Sequence, residues 1–376
     1  MTRTIWNAGQ GAMNVEDFGR YKIVFDCGTV SRGAPRRIIK EAFRQDEYIK
    51  AVFISHFDAD HVNYLESLLN YCNVEIVFIP LITDEEYALS LWRNRGDRDY
   101  IEFIDRLQEG DRIRNTQVIR VKALPLEDRD EPVPPEEPLD ISEYGVTGKF
   151  EISSGTEVIV NRGGGIDEDW VCLPFNFQYE KRHKLFAAEL RDLMGFYYFD
   201  VGFITARLAD ILEKEEMRRK IKDIYSSETI PGTINGNSMV VFSGPRNEGL
   251  RQYLSDDCCP KYRVNIHLDI SREAPAGCLY TGDYEADGEQ EWCHLVKYYG
   301  KYWRYTGLVQ VPHHGSRRNF NRNIIEMGSM FFINAGTKNK YKHPHVDVLT
   351  SLILSGKPFF WVNEQEESRL VLEINA

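Results

Sequence analysis

Six of the nine histidines in this 376-residue chain fall into three tight groups, at 56/61, 313/314 and 343/345. Each group follows an apolar run that reads as a strand, so a rigid sheet edge would project its side chains. The first group is the densest. Ser55-His-Phe-Asp-Ala-Asp-His61 places His56, Asp58, Asp60 and His61 within six residues, on a turn leaving a strand. Imidazoles and carboxylates at that spacing can converge on one or two metal ions. The mixture suits zinc, manganese or iron, and the extra carboxylate oxygen favours a harder ion such as manganese. A lone histidine is more often a satisfied core residue, but that reading does not explain four ligand types on one turn. The later groups have plainer readings beside the chemical one. Pro312-His-His-Gly315 can be a simple turn, and Pro344 suits the first position of a helix.

The elements that must position these groups alternate in type. Residues 21–26, 50–55 and 74–79 read as buried strands, with helical spacing over 35–48 and again from 64. From residue 235 the alternation resumes, with strand candidates at 238–242, 277–281, 307–311, 330–335 and 359–362. This pattern predicts an α/β layered architecture with its ligands at the C-terminal ends of strands. The middle, 84–234, is less regular and is expected to be a largely helical insertion. It holds helical patterns at 85–95 and 98–107, an acidic proline-rich loop at 127–138, and a charged helical segment at 183–227. Such an insertion either borders the active site or elaborates the surface. Tyr302, Trp303 and Tyr305, beside Lys301 and Arg304, can either stack on bases or pack together.

Composition narrows the class. The chain is 42% hydrophobic and 28% charged, enough for a sizeable core, and no run approaches the roughly 18 apolar residues of a membrane helix. No signal-peptide pattern opens the chain, so a cytoplasmic location and no membrane partner are expected. Seven scattered cysteines without a CxxC pair predict free thiols. A net charge of -12 disfavours an indiscriminate nucleic-acid binder, but a metal site with a local basic patch can hold phosphates on an acidic protein.

The first cluster resembles the HxHxDH signature of the metallo-β-lactamase superfamily, with Asp58 in place of the second histidine. That HxDxDH variant is similar to the hydrolase domain of the DNA-internalisation competence protein ComEC and its soluble relatives. Further elements follow in the same order. Asn7-Ala-Gly-Gln-Gly11 with Ile23-Val-Phe-Asp-Cys-Gly28 resembles the opening VGQGD and DxG strands. Leu279-Tyr-Thr-Gly-Asp283 resembles TGD, and Val311-Pro-His-His-Gly-Ser316 matches PHHGS. Gly336-Thr-Lys-Asn-Lys-Tyr-Lys-His-Pro-His345 is similar to GxxNxYGHPH, with Lys342 at the inner glycine. The sequence departs from the pattern at Ala12, usually aspartate, and at Asn63 and Tyr64, often glycines. The third-motif histidine is absent, and Asn235 or Asn237 stands near its place.

The resemblance implies a four-layer αββα sandwich, with residues 1–83 and 235–376 as the catalytic domain. It implies two divalent ions, manganese or zinc, held by His56, Asp58, Asp60, His61 and Asp283, the last able to bridge. His343, ahead of His345, would be the late histidine ligand. Asp60 would orient or deprotonate the nucleophile, and His313 or His314 would protonate the leaving oxygen. Asn235, Ser238, Ser316 and Asn339 would bind substrate. The implied activity is hydrolysis of a phosphodiester, DNA or RNA, by water that the ions activate. Two other functions fit the sequence: hydrolysis of a small nucleotide or phosphate ester, and a catalytically silent recognition subunit working with partner proteins in a multiprotein system.

Overall fold

A computed structural model describes residues 1–31, 38–83, 98–125, 136–143, 145, 147–162, 169–178, 184–185, 188–189, 192–193, 214–225, 238–255, 263–264 and 273–375. The strands form two facing sheets. At the centre of the first sheet, Thr2–Ile5, Gly11–Asp17 and Lys22–Thr29 run antiparallel in sequence order. Tyr48–Phe53, Asn73–Pro80 and Thr116–Pro125 then add in parallel. Leu370–Asn375 and Arg251–Leu254 extend the other edge. In the second sheet, Trp170–Gln178, Met239–Pro245 and Gly277–Tyr280 are antiparallel neighbours. Thr306–Gln310, Met330–Asn334 and Phe359–Val362 follow in parallel.

Parallel neighbours need a crossover, and here the crossovers are helices. Helix Ile38–Ala42, the pair Ala59–Val62 and Leu65–Tyr71, and Arg98–Glu109 serve the first sheet. Helices Glu289–Tyr299, Ile324–Met327 and Val346–Ser355 serve the second. The two-residue period of each strand then sorts side chains into layers. Val24, Val52 and Val77 pack outward against Ile38, Leu65, Leu68 and Ile104. Their neighbours Ile23, Phe25, Phe53 and Phe78 point inward to meet Val241, Tyr280, Leu308 and Phe332. On the far side Val240, Leu279, Val309 and Phe331 pack on Leu295, Ile324, Val348 and Leu352. Helix, sheet, sheet and helix make the expected αββα sandwich.

Segment 84–234 is not separable from this sandwich. Its strand Thr116–Pro125 pairs with Asn73–Pro80 in the first sheet, and its far end pairs with Trp170–Gln178 in the second. The boundary expected at 84–234 therefore coincides with no break in the sheets. Helix Glu215–Tyr225 is described, and residues 184–185, 188–189 and 192–193 are helical. The pattern at 85–95, the loop over 127–135 and the rest of 183–227 lie outside the described residues. Among the described residues, no helix is long and apolar enough to cross a membrane. Cys27, Cys72, Cys172 and Cys278 are buried free thiols, and Cys293 is an exposed one.

A polar clamp crosses the interior. Arg3 and Glu16 are fully buried and paired at 2.8 Å. Arg3 also donates to Gln252 Oε1 at 2.6 Å and to the carbonyl of Ala276 at 2.8 Å. Glu16 accepts from Ser243 Oγ at 2.7 Å and from Tyr280 Oη at 3.0 Å, both on the second sheet. Removing one partner of such a pair strands a buried charge, which costs about 3–5 kcal/mol. Arg3→Met is therefore expected to lower the unfolding free energy by about that amount in a urea titration. Stability within about 1 kcal/mol of the parent would show that the sheets pack without the clamp.

Candidate metal centre

The histidine groups meet along one edge of the sandwich, where strands of both sheets end. Residues 54–61 continue from Tyr48–Phe53, Asp283 follows Gly277–Tyr280, and His313 and His314 follow Thr306–Gln310. The short helix Ala59–Val62 is seated on bare backbone. A Cβ on Gly28 would stand 2.6 Å from the amide nitrogen of Val62, and one on Gly11 would stand 2.6 Å from the carbonyl oxygen of Asp60. Only glycine permits that approach. Asn63 then fastens the helix: its Oδ1 accepts from the Thr29 amide at 3.0 Å, and its Nδ2 donates to the Thr29 carbonyl at 2.8 Å.

Asp26 organises the first candidate ligands. It accepts from the Ser55 amide at 2.7 Å, from Ser55 Oγ at 2.9 Å and from His61 Nδ1 at 2.8 Å. His61 thus carries a proton on Nδ1, and Nε2 is the nitrogen directed inward. Ser55 spends its own proton on Asp26, so its oxygen can accept from His56 Nδ1 at 2.9 Å. That assigns the same tautomer to His56. His314 repeats the arrangement, donating from Nδ1 to the Asn334 carbonyl at 2.6 Å.

Three Nε2 atoms therefore face a carboxylate cluster. Asp283 lies among them, its Oδ1 3.3 Å from His61 Nε2 and 3.7 Å from His314 Nε2. Its Oδ2 is 3.7 Å from His56 Nε2 and 3.6 Å from His313 Nε2. Asp58 stands 3.7 Å from His56 Nε2, and Asp60 stands 3.2 Å from His314 Nε2. Two groupings have ligand atoms within 4.8 Å of one another: His56, His61 and Asp283, and Asp60, His61 and His314. His56 Nε2 is buried with no hydrogen-bond partner, which a metal ion would supply. Imidazole nitrogens with carboxylate oxygens are a donor set that fits zinc or manganese.

The charges are mutually supporting. Burial pushes Asp60 up, but the hydrogen bond from His314 and the charges of His61 and His314 outweigh it and bring its pKa to about 2. Burial likewise opposes the ionised form of Asp283, and His313, His61 and His314 overcome it, holding the group well below the carboxylate range. His61 is raised: burial lowers it, and Asp26 and Asp283 more than compensate. Burial, with the neighbouring His313 and His314, lowers His343 to about 4, and the opposing pull of Asp283 does not make up for it.

The later residues divide. His343 turns toward the cluster, its ring 5.6 Å from that of His313. His345 caps helix Val346–Ser355, its Nδ1 accepting from the Asp347 amide at 3.2 Å. Ser238 accepts from the Asp283 amide at 3.1 Å and stands 3.3 Å from His56 Nδ1, so it braces ligands. Asn339 spends its amide on the 336–343 loop, donating to the Gly336 and His343 carbonyls and accepting from the Tyr341 and His343 amides. Ser316 is buried beside the histidine turn. Asn235 and Asn237 lie outside the described residues. Tyr302, Trp303 and Tyr305 are buried in the outer core, as a packing cluster. Cys27 is fully buried, and desolvation raises its thiol pKa, as expected of a packed residue.

Sequence reasoning passed over Asp26, Ser55 and Gln310 as site residues. Gln310 Oε1 accepts from the amides of Thr281 and Gly282, each at 3.0 Å, and so shapes the turn that presents Asp283. A polar residue closing an apolar strand was the available signal for both Asp26 and Gln310.

No family model matches the chain, and no curated protein matches it. Among solved structures, the short form of human tRNase Z aligns at 15% identity with a TM-score of 0.26, over 47% of this chain and 60% of that one. The metallo-β-lactamase fold protein YhfI from Bacillus subtilis aligns at 15% identity with a TM-score of 0.21, over 32% of this chain and 45% of that one. The chain thus spans less than two thirds of either. Likenesses of this extent assign neither family nor substrate.

Asp26→Asn tests the organising role directly. Calorimetric titration with manganese is expected to show affinity about 10–100-fold below the parent. Unchanged affinity would mean that Asp26 orients nothing the metal uses.

Proposed function

We propose that this protein is a metal-dependent hydrolase of metallo-β-lactamase type that cleaves phosphodiesters, with nucleic acid as substrate. The observation that carries the reading is the convergence of His56, His61 and His314, each held at Nδ1 with Nε2 turned inward, on Asp58, Asp60 and Asp283. These six residues would hold the ions, with Asp283 presenting one oxygen beside His61 and the other beside His56. Bound there, divalent ions would acidify water and offset charge building on a phosphoryl oxygen.

The chain's own side chains supply the rest. Asp60, ionised and steadied by His314, can accept a proton from the nucleophile. His313 stands at the mouth, 22% exposed, with its Nε2 toward Asp283 and its ring next to His343. That position suits a proton donor to the departing oxygen better than the enclosed place of His314. His343 completes the wall on that side, with the cation-rich loop 338–342 leading into it. The carboxylate-rich donor set and the PHHGS-like and GxxNxYGHPH-like motifs support phosphodiester over β-lactam chemistry.

The test uses the full chain with manganese and bis(4-nitrophenyl) phosphate, then labelled single- and double-stranded oligonucleotides. Hydrolysis is expected, and His61→Ala is expected to reduce it at least 1,000-fold, since both ligand groupings contain His61. Activity that survives His61→Ala, or that persists in excess chelator, would refute the assignment.

A further inference from the structure

The region between His313 and Asp347 has a charge balance opposite to that of the chain. It carries six cations, Arg317, Arg318, Arg322, Lys338, Lys340 and Lys342, against Glu326 and Asp347. That is a net +4 in a protein of -12, and all six cations are exposed. Both loops that hold most of this charge border the metal cluster and pack on each other. The His345 amide donates to the Gly315 carbonyl at 2.9 Å, and a Cβ on Gly315 would stand 2.8 Å from Pro344. Arg317 is committed to Asp347 at 3.1 Å. Among the described residues, Arg318, Lys338, Lys340 and Lys342 form no ion pair within 4 Å; Lys338 faces Glu364, which Thr337 holds beside it, so the freest charges are those of Arg318, Lys340 and Lys342.

An aromatic ring sits among them. Tyr341 is 58% exposed, which is unusual for so large a side chain among the described residues. Lys340 Nζ lies 4.9 Å from its ring centre, and the ring stacks on His343 at 5.8 Å and 26°. His343 in turn adjoins His313 at 5.6 Å, and His313 reaches Asp283 at 3.6 Å. A run of rings thus leads from the surface to the carboxylate between the ligands. Lys342 also occupies the left-handed region at φ 60°, a conformation that favours glycine, and so holds a cation where a bare turn would be the easier solution.

We propose that Arg318, Lys338, Lys340, Tyr341 and Lys342 form a shelf that grips a single-stranded nucleic acid and feeds its backbone to the metal centre. The proposal rests on the phosphodiesterase reading above and specifies its substrate. Cations that follow a backbone, with an exposed ring for an unpaired base, are the two requirements of strand binding. A duplex keeps its base faces stacked and cannot use Tyr341. A mononucleotide would need only one of the four cations.

The experiment measures fluorescence anisotropy of a labelled 15-nucleotide single strand with the full chain in EDTA, across a salt series, so that binding is read without cleavage. K340E/K342E is expected to bind at least tenfold more weakly, with a salt slope shallower by about 1.4 for two lost phosphate contacts. K340R/K342R is expected to keep parental affinity. Tyr341→Ala is expected to lose at least fivefold in affinity with the salt slope unchanged, because it removes stacking and no charge. Unchanged melting temperatures would exclude misfolding as the cause.

The shelf is overturned if the parent does not bind the strand, if K340E/K342E binds as the parent does, or if a duplex of equal length binds equally well. Failure of the catalytic reading looks different. Strand binding without hydrolysis of bis(4-nitrophenyl) phosphate in manganese would sink the hydrolase and leave the shelf standing. Hydrolysis of that ester without strand binding would sink only the shelf.

Discussion

Asp26 sits inside the sandwich, accepts three hydrogen bonds, and through them sets the geometry of Ser55, His56 and His61 at the end of their strand. One oxygen fixes the Ser55 amide, and with it the direction in which the chain leaves its strand. The other fixes the Ser55 hydroxyl and the His61 ring. Because Ser55 must donate to Asp26, it can only accept from His56, so one carboxylate assigns the protons of two imidazoles. The residue adopts φ 56° to do so, a conformation that aspartate tolerates better than most side chains. Side chains held this way are fixed in place by the fold itself.

Four carboxylates and four imidazoles this close would be unaffordable without mutual compensation. Each buried anion here lies against at least one imidazole, and Asp283 lies against four. The attraction outweighs desolvation, which is why Asp60 and Asp283 fall below the ordinary carboxylate range despite their burial. A divalent ion would take over the role that imidazole protons play in its absence, and those protons would leave as it binds.

The two halves of the cluster arrive on different sheets, so the packing between sheets sets their spacing. Phe25 of the first sheet stacks on Tyr280 of the second at 3.9 Å, one residue before Asp26 and three before Asp283. Tyr280 also donates to Glu16, which ties that stack to the Arg3 clamp. A change in the interior would therefore be felt as a change in the distance between Asp283 and the histidines. The geometry of the His/Asp cluster and the packing of the core are one problem in this protein.

Much was legible in the sequence. The alternation of apolar runs and helical spacing gave the strands on either side of His56–His61 and the parallel run from 277 to 362, because a strand buried on both faces has few polar residues to disguise it. The clustering of histidines marked the site, since ligand chemistry requires those residue types wherever the chain folds. The middle segment was less legible: its strands at 116–125 and 170–178 were passed over, and no local pattern shows which sheet a strand will join. The separate tasks of His343 and His345, or of His313 and His314, were equally hidden. His345 Nδ1 is taken by the helix cap it makes with the Asp347 amide, whereas His314 gives only its Nδ1 to the Asn334 carbonyl, a partner on another strand, and keeps Nε2 toward Asp60. The sequence by itself determined the ligand chemistry, because side-chain donors are local property of the residues. Only the tertiary structure decided which nitrogen faces inward, because that choice belongs to the partner at the other end of the ring.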